Sequence, residues 1–109
     1  MEELETIIFE IIGHGGNARA LAYESLEKAR EANYEESDRL MEECKQEMNL
    51  AHNTQTKLVQ DEIRGTDIKI SLLLIHAQDQ LMTSMAEQAL IKQMIEMQKE
   101  LNALKTVKG

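Results

Sequence analysis

Hydrophobic residues recur at intervals of three and four along three stretches of the chain, which is the spacing of amphipathic helices. The stretches span about residues 2–32, 35–64 and 67–105, with Asn33 and Gly65 at the breaks between them. Breaks this short make consecutive helices antiparallel neighbours. The pattern therefore predicts an all-α fold, an antiparallel three-helix bundle, in one domain covering residues 1–109.

Each of the first two stretches carries one row of apolar or small positions, which we predict to face the core. The first row is Leu4, Ile8, Ile11, Gly15, Ala18, Ala22, Ser25 and Ala29, and the second is Leu40 or Met41, Cys44, Met48, Ala51, Gln55 and Leu58. Small residues on an inward row allow helices to approach closely. Cys44 is the only cysteine, so no internal disulfide can form, and its place on the row favours a packed thiol over a nucleophile.

Three glycines lie within residues 13–16. A phosphate-binding loop is one interpretation, but no Gly-Lys-Ser/Thr ending follows and no strand precedes them. Gly15 keeps the phase of the helical row. The pattern therefore favours a helix that is bent or briefly broken here, at a cost of about 1 kcal/mol per glycine.

The third stretch contains an acid within its apolar row. The row is Leu72, Ile75, Asp79, Met82, Ala86, Ala89 or Leu90, Met97, Leu101 and Leu104. His76 lies about 60° from Asp79 around the helix, and its own row continues through the polar residues Gln80, Thr83 and Glu87. We predict that His76 sits at the edge of the buried face, half sheltered, with Asp79 within reach of its side chain.

The two ends of the third helix raise separate expectations. Thr66 is the predicted N-cap, and a helix from Asp67 to about Lys105 would be roughly 60 Å long at 1.5 Å per residue. The first two helices are shorter and would leave the late apolar positions uncovered. Self-association through the third helix would cover them, and a frayed terminus is the alternative.

Charge and composition limit the classes of function. The formal net charge is −8, which argues against binding nucleic acid or an anionic membrane surface and permits a basic protein partner. No signal peptide is recognisable, and no apolar stretch approaches the length of a membrane span. We therefore expect a cytoplasmic protein.

The candidate chemical groups are few. His14, His52 and His76 lack the spacing of a zinc site, and no Ser or Cys lies in a nucleophile elbow. His14 and His52 are expected to be solvent-exposed or hydrogen-bonded, whereas His76 is either a packed residue or a nucleophile. Asp79 either pairs with His76 or a lysine of its own chain, or gathers with copies of itself at an oligomer axis, where the carboxylates need protons or a cation such as Mg²⁺ or Ca²⁺.

Three segments resemble one protein family. Residues 74–82 (LIHAQDQLM) closely resemble the signature of the lactose/cellobiose-type IIA components of the bacterial phosphoenolpyruvate-dependent sugar phosphotransferase system. Residues 51–58 (AHNTQTKL) and 16–19 (GNAR) resemble further family segments. His76-Ala77 is more similar to the cellobiose/chitobiose branch than to the lactose branch. Gln80 departs from the family, whose members often carry a second histidine there.

The resemblance implies a specific function. His76 would accept a phosphoryl group from the phosphocarrier HPr and pass it to a cysteine of a IIB component, serving uptake of disaccharides through a membrane-embedded IIC permease. It further implies a cytoplasmic homotrimer in which Asp79 of three subunits shares one divalent cation, with no organic cofactor. Gln78 would either contact phosphate or partner, or serve as a structural amide. The competing hypothesis is a helical adaptor that oligomerises by coiled-coil packing, with His76 as a packed residue.

Overall fold

The computed structural model describes the backbone of residues 2–108 and the side chains of residues 3–106. It contains three helices, α1 (Glu2–Arg30), α2 (Tyr34–Ile63) and α3 (Leu72–Lys108), and no strand within the described range. The prediction of an all-α three-helix bundle is confirmed. Met1 and Gly109, the ends of the predicted domain, lie outside the described residues.

Helix α1 packs along both other helices, whereas α2 and α3 touch each other little. Helices α1 and α2 pack along their length on either side of a short connection, so they are antiparallel. Reciprocal hydrogen bonds join Ser25 to Ser37 near this connection, with each hydroxyl donating to the other residue's carbonyl at 2.7 and 2.8 Å. Arg19 pairs with Glu87, and Asn102 donates to the carbonyl of Ala29 further along both helices, so α1 and α3 are parallel. The result is an up-down-up bundle of 62 × 21 × 17 Å.

The inward rows predicted for α1 and α2 form most of the core. Every member of the two rows is buried except Leu4, Gln55 and the alternative Met41, which are half-buried. A Cβ built on Gly15 would lie 3.9 Å from Leu81 Cδ1, so the small residue lets α1 and α3 approach closely. These rows were predictable because each helix carries a single apolar face.

Both connections begin with the same helix-ending turn. At the end of α1 the Asn33 N–H donates to Lys28 and the Ala32 N–H to Ala29, with Ala32 at φ 62°. At the end of α2 Gly65 occupies the equivalent position at φ 104°. This pattern of bonds is the Schellman motif, which requires a left-handed residue and is usually completed by glycine.

Helix α3 begins five residues later than predicted, and Thr66 is not its N-cap. Residues 66–71 have no regular structure, and the Ser71 hydroxyl accepts a hydrogen bond from the Leu74 N–H at 3.1 Å, which makes Ser71 the capping residue. β-Branched residues alternate through this segment and disfavour helix. One of them, Ile68, packs against the core.

The face of α3 that meets the core also differs from the prediction. The buried positions are Ala77, Leu81, Ser84, Ile91 and Ile95. The predicted row lies on the opposite side of the helix and is exposed: Leu72 is 83% exposed, Ile75 54% and Met82 56%. Because α3 is apolar on both faces, its periodicity does not reveal which face packs within the chain.

Candidate functional site

His76 lies in the second turn of α3 with an exposed side chain. The predicted half-sheltered position is therefore wrong for the single chain. The neighbouring Ala77 is fully buried, so the backbone at His76 is held by the core while the ring stands outside it. Within the described part of the chain the imidazole makes no hydrogen bond or ion pair.

Asp79 is also exposed, and its carboxylate has no partner within residues 3–106. The predicted pairing with His76 or with a lysine of the same chain is therefore not formed. A carboxylate on an apolar row needs a partner once that row is covered. Because Asp79 is unpaired, the alternative that copies of Asp79 gather at an oligomer axis stays a prediction.

A groove of about 500 Å³ lies between the end of α2, the connection that follows it and the start of α3. Its walls are largely apolar and are lined by Leu58, Val59, Ile68, Leu74, Ile75 and Met82, with Glu62, Gln78 and Asp79 as polar members. His76 is not among the lining residues. It stands on the flank of α3 between the exposed apolar row and α1.

Gln78 reaches the opposite flank of α3. Its side-chain oxygen accepts a hydrogen bond of 2.9 Å from the amide of Gln55 on α2. The row of α2 predicted to face the core contains Gln55, with no role predicted for its side chain. A hydrogen-bonding role for Gln55 was predictable, because a polar side chain inside such a row needs a hydrogen-bonding partner.

The row of His76 continues along the flank that faces α1. Glu87 forms an ion pair with Arg19 at 2.9 Å and accepts a short hydrogen bond from the Tyr23 hydroxyl. The hydrogen bond to Glu87 raises the pKa of Tyr23, because the carboxylate stabilises the neutral phenol. Nearer to His76, the side-chain oxygen of Gln80 is buried without a hydrogen-bonding partner in the described structure.

The other two histidines lie apart from this site. His14 Nδ1 is 3.1 Å from a carboxylate oxygen of Glu47, whose second oxygen accepts a 2.8 Å hydrogen bond from Asn17, so His14 belongs to a contact between α1 and α2. His52 is exposed on α2 and unpaired within the described residues. Both outcomes agree with the expectation of exposed or hydrogen-bonded histidines.

The glycine cluster and the cysteine have structural roles. Residues 13–16 lie inside the continuous helix α1, so neither a phosphate-binding loop nor a break is present. Cys44 is fully buried, and burial raises the pKa of its thiol although Lys92 opposes the shift. The predicted packed thiol is confirmed.

Two further features of the described residues concern membrane insertion and metal binding. None of the helices within residues 2–108 combines the length and apolarity of a membrane span. The same range brings no three histidine, cysteine or carboxylate side chains together as ligands for a metal ion.

A bundle that displays an unpaired imidazole on its longest helix is suited to carrying a group between protein partners. The chain belongs to the family described as PTS system, Lactose/Cellobiose specific IIA subunit, whose model matches residues 6–99. IIA components of this system are phosphotransferase carriers. The resemblance inferred from residues 16–19, 51–58 and 74–82 is confirmed, and the adaptor alternative is not favoured.

Similar proteins agree with this assignment. The N,N'-diacetylchitobiose-specific EIIA component of Escherichia coli K12 is 39% identical over 102 residues, covering 94% of this chain and 88% of the relative. The cellobiose-specific enzyme IIA from Bacillus anthracis superposes with a TM-score of 0.90 at 42% identity, covering 94% of each chain. The IIA(Chitobiose) in an Escherichia coli complex with HPr superposes with a TM-score of 0.78 at 38% identity, covering 94% of this chain and 99% of the other.

Proposed function

We propose that this chain carries a phosphoryl group on His76, accepting it from phosphorylated HPr and passing it to a cysteine of a IIB component. One observation carries the proposal: His76 is an exposed and unpaired imidazole on α3, inside the segment that matches the family. A carrier must be reached by two different proteins in turn, and an exposed ring on a rigid helix allows this.

The transfer of the phosphoryl group needs few catalytic groups besides the attacking and leaving atoms. A ring nitrogen of neutral His76 attacks the phosphorus atom held by the histidine of HPr, so that one N–P bond forms as the other breaks. A thiolate of the IIB component then attacks the same phosphorus atom, forming an S–P bond and returning the electron pair to His76. Positioning and charge stabilisation dominate such reactions.

The assignment to His76 rests on a comparison of the three histidines. His14 is engaged with Glu47. His52 is as free as His76, but it lies on α2, outside the LIHAQDQLM segment. The LIHAQDQLM signature selects His76 between the two unpaired rings.

The same proposal includes a homotrimer joined through α3. Its exposed apolar positions, which we call the α3 seam, are Leu72, Ile75, Met82, Ala86, Leu90, Met94, Met97, Leu101 and Leu104. With Asp79 included, their spacing alternates between three and four residues, as in a coiled coil, except that the step from Ala86 to Leu90 is four residues instead of three. Exposed apolar surface of this length is typical of an interface between chains.

Asp79 interrupts the α3 seam between Ile75 and Met82, and we propose that three copies of Asp79 share one divalent cation such as Mg²⁺. Its carboxylate is unpaired in the single chain, and carboxylate oxygen is the ligand type that such a cation prefers. Three like charges at one axis would otherwise repel each other or take up protons. The cation would serve assembly, with no part in the transfer and no organic cofactor beside it.

We assign the transported sugar to the class of cellobiose- or chitobiose-like disaccharides, with lactose-like sugars as the alternative. Relatives named for chitobiose and cellobiose support the assignment. HPr as the donor is supported by the solved complex of a similar IIA with HPr. The expected location is the cytoplasm, where HPr and the IIB component would reach the chain and the IIC permease would link it indirectly to the membrane.

The test is phosphorylation by phosphoenolpyruvate, the general phosphotransfer proteins and HPr, followed by intact-mass measurement. The wild type should gain one acid-labile phosphoryl group, and His76→Ala should gain none while keeping its helicity. His14→Ala and His52→Ala are matched controls that should still be phosphorylated. Histidine phosphorylation of the His76→Ala variant would contradict the assignment.

The effect of ionic strength on the transfer rate tests whether opposite charges bring HPr and this chain together. The net charge of −8 favours encounter with a basic partner surface, so the rate of transfer from HPr should fall as ionic strength rises. Rates that stay equal between low and physiological salt would remove electrostatic steering from the proposal.

A further inference from the structure

Gln80 presents an unexplained buried polar atom next to the proposed site. Its side-chain oxygen is buried and lacks a hydrogen-bonding partner within the described residues, although Gln80 as a whole is only half-buried. Buried polar atoms without a partner are rare, and each one calls for a reason. Ser84, one turn further along α3, holds the other unpartnered oxygen of this kind in the described structure.

Gln80 and His76 are neighbours on the helix surface. Residues four apart on a helix have Cβ atoms about 5–6 Å from each other. Long helical side chains lean towards the N-terminus, so an amide at Gln80 can reach the side chain of His76, which lies one turn earlier. The ring of His76 has no other partner in the described chain and is free to turn towards this amide.

An amide oxygen can accept two hydrogen bonds. The Ser84 hydroxyl, one turn away on the other side, is suited to donate one of them. An N–H of the His76 ring is suited to donate the second. The nitrogen within reach of a residue on the same helix is Nδ1, since it lies closer to the backbone than Nε2.

We propose that Gln80 is a positioning residue for His76, whose Nδ1–H donates a hydrogen bond to the Gln80 amide oxygen and whose Nε2 lone pair thereby faces the phosphoryl donor. This inference rests on the proposed function of His76. A neutral imidazole carries one N–H, and the partner of one nitrogen decides which nitrogen is left to react. During transfer the N–P bond forms at Nε2 while the proton stays on Nδ1.

The chain offers a closely matched set of variants. Gln80→Met keeps the unbranched shape and removes hydrogen bonding, whereas Gln80→Glu keeps an acceptor oxygen. Gln88→Met is the control, because Gln88 is a half-buried glutamine of the same helix that lies three turns from His76. Two-bond ¹H–¹⁵N spectra of ring-labelled protein report which nitrogen of His76 carries the proton.

We expect the Nδ1–H form in the wild type, in Gln80→Glu and in Gln88→Met, and a shift towards the Nε2–H form in Gln80→Met. The rate of His76 phosphorylation in Gln80→Met should fall about tenfold, which is the lower end of the loss known for metal-binding histidines that lose the partner that orients them. An Nε2–H wild type, or a Gln80→Met spectrum equal to that of the wild type, would overturn the role of Gln80.

Failure of the role proposed for Gln80 can be distinguished from failure of the proposed function of His76. If Gln80→Met does not fold, the tautomers of the wild type and of Gln80→Glu still decide the proposal. Absence of phosphorylation at His76 in the wild type would contradict the proposed function itself. An unchanged tautomer with normal phosphorylation would contradict only the role of Gln80.

Discussion

Gln55 on α2 donates a hydrogen bond of 2.9 Å to Gln78 on α3, two residues from His76 and one from Asp79. Among the described residues, the other direct hydrogen bond between these two helices joins Asn102 to the Tyr34 hydroxyl. The two bonds are separated by about 30 Å along α2, and the helices otherwise touch little. Gln55 therefore fixes α3 at the level of the site.

A double-mutant cycle tests the contribution of the Gln55–Gln78 hydrogen bond to stability. Gln55→Leu leaves the half-buried Gln78 oxygen without its donor and should lower the free energy of unfolding by about 1 kcal/mol. Adding Gln78→Leu should recover part of the loss, because both polar groups are then gone. Denaturant titration of the four proteins gives the coupling, and additive effects would contradict it. Phosphorylation of Gln78→Leu at the wild-type rate would establish Gln78 as a structural amide.

Asp79→Leu should keep the trimer or strengthen it. Replacing buried charge by a packed apolar side chain is often neutral or stabilising by about 1–4 kcal/mol. The variant should lose any dependence of its melting temperature on divalent cations or chelator, while His76 is still phosphorylated. Sedimentation and melts with and without chelator provide the measurement. Monomers, or a folded protein that cannot be phosphorylated, would remove the axial-cation interpretation.

Leu101→Glu should dissociate the trimer. Leu101 belongs to the α3 seam and is half exposed in the single chain, so a carboxylate there would be buried without a partner at the interface. Gln46→Glu adds the same charge at an exposed position of α2 and should leave assembly unchanged. Sedimentation of both variants decides between an interface and a frayed helix end, since a frayed end predicts identical behaviour.

Ala32→Gly should stabilise the protein by about 1 kcal/mol, because a left-handed conformation costs an alanine about this much more than a glycine. Ala32 has φ 62° at the end of α1, where the equivalent residue after α2 is Gly65. The reciprocal change, Gly65→Ala, should lose a similar amount. Denaturant unfolding at one fixed protein concentration compares both variants with the wild type. Equal stability of all three proteins would contradict the strain assigned to Ala32.

Tyr23 should stabilise the fold in a pH-dependent way. Its pKa is raised in the folded protein, chiefly by the hydrogen bond to Glu87. The stabilisation is therefore complete below the pKa of unfolded tyrosine, which is about 10, and is lost as the pH rises through the higher folded value. The stability difference between the wild type and Tyr23→Phe should stay constant near neutrality and shrink above that pH. A difference that persists at alkaline pH would exclude the hydrogen bond as its source.

Several features of this protein follow from the sequence alone. The three helices were predictable because a spacing of three and four is a local property that needs no knowledge of the fold. The inward rows of α1 and α2 were predictable because each helix has one apolar face. The family was predictable from the residues around His76, since residues 74–82 (LIHAQDQLM) resemble its signature, whereas the role of His76 itself stays a prediction.

The tertiary structure decided what depends on contacts between helices. Helix α3 is apolar on two faces, and only packing against Gly15 and its neighbours on α1 selects the row of Ala77 and Leu81 for the core. That choice exposes His76 and Asp79. The late start of α3 depends on Ile68 reaching the core, and the Gln55–Gln78 bond depends on the register of α2 against α3. A periodic sequence fixes which residues share a face of a helix, but only the neighbouring helices determine which face is buried.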